Sequence, residues 1–184
     1  MKTPTDDHIL TDRPDYDYAK KSADRVLQDN LVTSPPANIF AVVRNYGLEV
    51  TYADFGGHSD VAGFVDLEAR NIVVNSLDPP SRQKFTVAHE LGHWIMHRQL
   101  LKENPDRGIL LRLPLGMPDP DPREKEANSF AANILVPDEF FLPVIQDGQR
   151  MTDLRGGERL LATVFGVSSD VVVYRLRQLN AYSS

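Results

Sequence analysis

The chain has 184 residues, 41% of them apolar, which is enough for one compact domain with a sizeable core. A net charge of −6 and a pI near 5.3 offer no general attraction to nucleic acid or anionic lipid. With no cysteine, disulfides, thiol nucleophiles and thiolate metal sites are excluded together, so any metal must be held by His, Asp or Glu. The opening MKTPTDDHIL lacks an apolar core after its basic residue, and no apolar run approaches the roughly eighteen residues of a membrane span. The expectation is a soluble, cytoplasmic protein.

Residues 1–18, rich in Asp, Thr and Pro, read as a flexible tail. A first helix is expected from Tyr18 to Leu31, and a second from the Ser34-Pro-Pro start through Asn38 to Tyr46, ending at Gly47. LEVTYADF and VAGFVDLEARNIVVNS are rich in β-branched and aromatic residues with partial alternation. They read as strands, the second stretch being a hairpin broken at LEAR. SLDPPS stops the sheet, and Ser81 is expected to cap a helix from Arg82 to Leu101. Residues 102–120, with four prolines and two glycines, read as a long loop, followed by a helix from Pro122 to Leu135. The remainder reads as short helices around Gly156-Gly157.

Three of the five histidines fall in FTVAHELGHWIMH. HELGH, residues 89–93, has the H-E-x-x-H spacing. On a helix this sets His89 and His93 on one face, one turn apart, with Glu90 beside them: a two-point metal claw with a base attached. A shuffled chain of this composition would carry the pattern roughly 0.006 times. A catalytic zinc needs a third protein ligand and an open position. Extending the motif within the helix would need Gly at 96 and His at 99, where Met96 and Gln99 stand. The best remaining source is REKEANSFAANILVP, residues 123–137. Its apolar residues Ala127, Phe130, Ala131, Ile134 and Leu135 share a face; Glu124 lies about 50° from the centre of that face and Glu126 about 110° away. Glu124 is therefore expected to point inward and Glu126 toward the flank, with Asn128 one turn beyond Glu124 as a hydrogen-bonding support for a ligand. A competing reading of Asp121-Pro-Arg-Glu124 is a capping box in which Glu124 folds back onto the helix start.

RQKFTVAHELGHWIMH followed by EKEANSFAANILVP resembles the ImmA/IrrE family of metallopeptidases, whose members carry R-x-x-F-T-x-A-H-E-x-G-H and then E-x-x-A-N-x-F-A. The likeness extends more weakly into the preceding hairpin and the C-terminal part. It implies an α+β, zincin-like domain with a short, mostly antiparallel sheet and an HExxH helix. In it His89, His93 and Glu124 hold zinc, Glu90 is catalytic and Asn128 stands one turn past the third ligand. It also implies a role, the cleavage of a helix-turn-helix transcriptional repressor to relieve repression after stress. The expected organisation is a tail at 1–18, a zinc metallopeptidase domain at 19–148 and a helical docking segment at 149–184.

The residue types suit hydrolysis without a covalent intermediate, Glu90 taking a proton from water and delivering it to the leaving amine. Manganese is the alternative metal, because mixed nitrogen and oxygen donors accept it. For an oxyanion partner Tyr46, Tyr52, His58 and His97 are all candidates, and spacing does not choose among them. His97 reads more simply as a solvated histidine at a helix C-terminus. An edge strand of the hairpin is expected to align an extended peptide beside the metal.

In ERLLATVFGVSSDVVVYRLRQL, Ala162, Gly166 and Val172 stand where a helix-turn-helix places them, with Ser168 as a cap, but Arg175 occupies a position that pattern keeps apolar. Five Arg against three acidic residues in 149–184 is a weak basic patch, which favours protein docking over DNA binding. The alternative class is a non-catalytic regulator that binds a repressor or DNA and carries a structural metal. Retention of Glu90 argues for the peptidase, since a structural site needs no base.

Overall fold

A computed structural model describes residues 12–56, 58, 60–103, 109–111, 121–150 and 157–182. Residues 1–11 of the expected tail and most of the expected 102–120 loop lie outside these. The first helix, α1 (Tyr16–Asp29), begins two residues earlier than expected because Asp15 caps it, its side chain accepting from the Tyr18 amide at 2.8 Å. The second, α2 (Ile39–Asn45), is capped by Asn38, whose Oδ1 accepts from the Ala41 amide at 3.1 Å. The prolines at 35 and 36 therefore precede this helix rather than open it.

Strands β1 (Glu49–Ala53), β2 (Val61–Asp66) and β3 (Asn71–Asn75) follow, and β4 (Ile109–Leu111) completes a sheet of order β1-β3-β2-β4. The β1–β3 pair is parallel, while β2–β3 and β2–β4 are antiparallel. The architecture is α+β with a mixed, mostly antiparallel sheet. Two expectations change here. Within the segment 102–120 expected as loop, the described residues include a strand, a three-residue one too brief to show periodicity. The β2–β3 hairpin offers no edge either: both strands are paired on both sides, and the edges are β1 and β4.

Helix α3 (Pro80–Met96) carries HELGH across β2 and β3. Its start is set by Pro79 and Pro80, with Ser81 already inside the first turn rather than at the cap. It ends at His97, and a separate short helix, α4 (Arg98–Glu103), follows, where one continuous helix to Leu101 was expected. Helix α5 (Pro122–Leu135) has the expected bounds and lies between α1 and α3. Its five predicted apolar residues are all at 0% exposure. Burial of a side chain such as Phe130 contributes roughly 1.5–3 kcal/mol.

The chain ends in α6 (Asp138–Arg150), α7 (Gly157–Phe165) and α8 (Ser169–Tyr182). The α7–α8 turn closes at Gly166, whose φ of 61° is left-handed, with the Val167 amide reaching back to the Ala162 carbonyl at 2.9 Å. Phe165, Val171 and Val172 join the same core as α3 and α5, and Phe165 meets Phe141 edge-on with 5.7 Å between centroids. Arg175, the residue that breaks the helix-turn-helix pattern, turns inward at 1% exposure. It donates to the Val136 carbonyl at 3.1 Å, at the end of α5, and pairs closely with Asp138, which Lys20 of α1 also reaches at 2.9 Å. From α3, Lys84 donates to the Phe165 and Gly166 carbonyls at 3.1 and 3.2 Å. Both helices that carry the candidate site are thus tied to the C-terminal pair.

Candidate metal centre

The claw forms on α3 as its spacing requires. His89 Nε2 and His93 Nε2 stand 2.9 Å apart, and each lies 3.1 Å from an oxygen of Glu124 on α5. His89 is fully buried, His93 is 3% exposed and the Glu124 side chain 15%, so the cluster opens to solvent only at the carboxylate. These three are the group among the described residues whose donor atoms all converge within 4.8 Å. Glu124 does not close a capping box; Asp121 caps α5 by itself, accepting from the Arg123 amide at 3.0 Å, and leaves the Glu124 carboxylate to the histidines.

Orientation comes from the other ring nitrogens. His89 Nδ1 donates to Asn128 Oδ1 at 3.0 Å, which leaves the Nε2 lone pair directed at the cluster. Asn128 stands where the sequence places it, one turn past Glu124. His93 Nδ1 lies 3.0 Å from His97 Nδ1.

The electrostatics are those of a site short of positive charge. Burial alone would raise the Glu124 carboxyl, but charge on His93 and hydrogen bonds from both histidines hold it far below the usual carboxylate range. Burial lowers His93 as well, yet Glu124 beside it raises it above the ordinary imidazole value, while His89 is held down by burial. Glu90 is fully buried and neither of its oxygens meets a donor in hydrogen-bonding geometry; the Val65 amide approaches without completing a bond. Desolvation pushes its pKa up to about 8. An unpartnered buried carboxylate costs several kcal/mol if it stays charged, unless a cation stands nearby. The donors fit a metal: tetrahedral coordination at the usual zinc–nitrogen distances of about 2.0–2.1 Å separates donor atoms by roughly 3.3 Å, close to the spacing here. Two neutral imidazoles, one carboxylate and an adjacent base form a set suited to a hydrolytic metal.

Two sequence readings are corrected. Glu126 is not on the flank: at 2% exposure it is more buried than Glu124, accepting from His97 Nε2 at 2.8 Å and from the Asp15 amide at 2.7 Å. His97 is not a solvated helix end but is 2% exposed. Burial lowers its pKa to about 4 against the opposing pull of Glu126, so it is neutral near pH 7. Because it reaches His93 from behind the ring, away from the cluster, it is also badly placed to face an oxyanion. Of the other candidates, Tyr46 closes α2, Tyr52 is 51% exposed on the edge strand β1 and His58 is exposed in the loop after it. None of these is a partner of the three converging side chains. Sequence reasoning missed the buried pair, although the spacing of four from His93 to His97 was a signal.

A helical HExxH claw completed by a glutamate from a second helix, on a small α+β scaffold, defines a metal-dependent hydrolase. Residues 43–177 match the family model of the IrrE N-terminal-like domain, and the chain belongs to this ImmA/IrrE peptidase family; it is a metallopeptidase. It is 23% identical over 170 residues to the metallopeptidase ImmA of Bacillus subtilis, covering 91% of each chain. It is 26% identical over 131 residues to uncharacterized immunity region protein 2 of Bacillus phage phi105, covering 70% of this chain and 75% of that one. Among solved structures, a Mycobacterium tuberculosis transcriptional regulator superposes with a TM-score of 0.61 at 18% identity, over 86% of this chain. This chain spans 46% of the length of that regulator, and the likeness is one of fold. Among the described residues no helix is long and apolar enough to cross a membrane.

Proposed function

We propose that this metallopeptidase is a zinc-dependent endopeptidase of the cytoplasm that cleaves a helix-turn-helix transcriptional repressor and so relieves repression. The observation that carries the catalytic part is the juxtaposition of three converging donors with a buried, unpartnered Glu90 one residue from a donor. In this reading His89, His93 and Glu124 hold the metal, with manganese as the alternative to zinc. A metal held there would supply Lewis acidity, activating water for attack and polarising a peptide carbonyl. Glu90 accepts the proton of the attacking water and passes it to the departing amine. Asn128 holds the His89 ring, and the walls of α3 and α5 exclude bulk water from the base.

The repressor reading rests on the family and on the C-terminal helices. Helix α7 presents Leu160 at 69% exposure and Val164 at 41%, one turn apart on its outer face, a patch suited to gripping a folded protein while a mobile segment is cut. Glu90→Gln should keep fold and metal and lose cleavage of a candidate repressor. Cleavage at the wild-type rate would remove Glu90 from the mechanism. Unaltered control of repression by Glu90→Gln in cells would point to a non-catalytic regulator with a structural metal. Leu160→Glu should slow cleavage of the intact repressor more than of a short peptide spanning the same bond; equal effects on both would refute docking on α7.

A further inference from the structure

The buried pair behind the claw has no place in the chemistry above, yet it makes a continuous path from the metal centre to the start of the first helix. His93 Nδ1 lies 3.0 Å from His97 Nδ1, His97 Nε2 lies 2.8 Å from Glu126 Oε2, and Glu126 Oε1 accepts from the Asp15 amide at 2.7 Å. We infer that His97 and Glu126 are positioning residues that fix the tautomer and ring plane of His93, and that this chain of hydrogen bonds sets the metal affinity of the site. The inference rests on the metal reading given above.

Proton counting carries the argument. A carboxylate oxygen accepts, and Glu126 Oε1 already takes a hydrogen bond from the Asp15 N–H at 2.7 Å. His97 Nε2, 2.8 Å from Glu126 Oε2, is the ring nitrogen placed to donate its proton to that carboxylate. His97 Nδ1 is then a lone pair, and it accepts from His93 Nδ1–H. His93 is left with its lone pair on Nε2, the nitrogen that faces His89 and Glu124. The opposite tautomer would place a proton where a metal must bind. In this way a carboxylate two bonds away selects the ligating form of His93.

The placement follows from helix geometry. His97 is four residues after His93 and lies one turn along the same face of α3, where its backbone N–H also donates to the His93 carbonyl at 2.9 Å. Glu124 and Glu126 are two apart on α5 and so diverge, one to the Nε2 side of His93 and the other, through His97, to its Nδ1 side. Helix α5 thus holds the same imidazole from both ends. With His93 at 3% and Glu126 at 2% exposure, bulk water is poorly placed to substitute for a lost partner.

The test is zinc affinity of the full chain, measured by competition with a chromophoric chelator. His97→Leu, which removes both hydrogen bonds, should weaken binding by roughly 10–100-fold. His97→Asn places an amide oxygen near the old Nδ1, restores the acceptor for His93 and should recover much of that loss. A general packing defect would not distinguish the two variants in this order. His97→Leu binding as tightly as wild type, or His97→Asn binding no better than His97→Leu, overturns the proposal. Should His97→Leu fail to fold, Glu126→Gln carries the test alone: it keeps the shape but weakens the tautomer preference, so lower affinity is expected and unchanged affinity overturns the inference. Wild type that takes up no metal overturns the metal reading and this inference with it, whereas wild type that binds beside an equally competent His97→Leu overturns the inference alone.

Discussion

Gly92, the glycine of HELGH, packs directly against Phe130 of the other site-bearing helix. A Cβ built there would stand 3.0 Å from Phe130 Cδ1, 3.3 Å from its Cγ and 3.4 Å from its Cβ. Ordinary contact begins near 3.4 Å, so Gly92→Ala requires the Phe130 ring, or α3 and α5 themselves, to give by about 0.4 Å at this point. Phe130 is at 0% exposure, with no free volume into which to retreat. Overpacking of this kind costs about 1–3 kcal/mol. Alanine returns about 1 kcal/mol through its better helix propensity. The net destabilisation is then about 0–2 kcal/mol, a fall in Tm of up to about 8 °C for a chain of this size. Metal binding should suffer more than stability. Glu124 faces His89 and His93 across this same interhelical gap at 3.1 Å, so a change in the gap is passed to the spacing of the donors, while metal–donor bond lengths hold to within about 0.2 Å. A loss of about tenfold in zinc affinity is expected, equivalent to about 1.4 kcal/mol. Thermal unfolding of the metal-free protein and chelator competition of the loaded protein measure the two effects separately. A Gly92→Ala protein with wild-type affinity, whatever its Tm, would refute the idea that the Gly92–Phe130 contact sets the spacing of the donors.

Arg175→Met should lower Tm by about 4–12 °C, from a loss of about 2–3 kcal/mol: the Val136 carbonyl loses its donor, while Asp138 keeps Lys20. A Tm within 1–2 °C of wild type would show that the buried guanidinium contributes little net stability. Chelation with excess EDTA should abolish peptidase activity and lower Tm, since a metal present at about a thousand times its Kd adds about 4 kcal/mol of stability; an unchanged melting curve would mean that no metal is bound to the folded state. Glu124→Gln should bind zinc far more weakly than wild type because a neutral amide replaces the anionic donor, with chelator competition as the measurement and unchanged affinity the result that moves the third ligand elsewhere.

Local rules were enough for the parts of this protein that depend on neighbours in sequence. His89 and His93 share a face because four residues make about one helical turn, and no tertiary contact is needed to know it. The bounds of α5 follow from Asp121, Pro122 and the stop before Pro137, and its apolar stripe follows from its period. The failures have one physical origin. A stripe identifies the centre of the buried face but not its width, and the width depends on how many elements pack around the helix. Because α1 as well as α3 lies against α5, Glu126 is enclosed despite its angle, and a partner from the start of α1 and another from the end of α3 satisfy it. His97 was legible as one more turn on the ligand face, but its burial required Glu126 opposite. Arg175 violates the apolar pattern of its own helix because the carbonyl at the end of α5 and Asp138 wait for it across the core. Strand β4 exists only because β2 offers it an open ladder. Spacing along one helix therefore decided which groups could share a metal, and the packing of several elements decided which carboxylate would reach it and which would hold a histidine from behind.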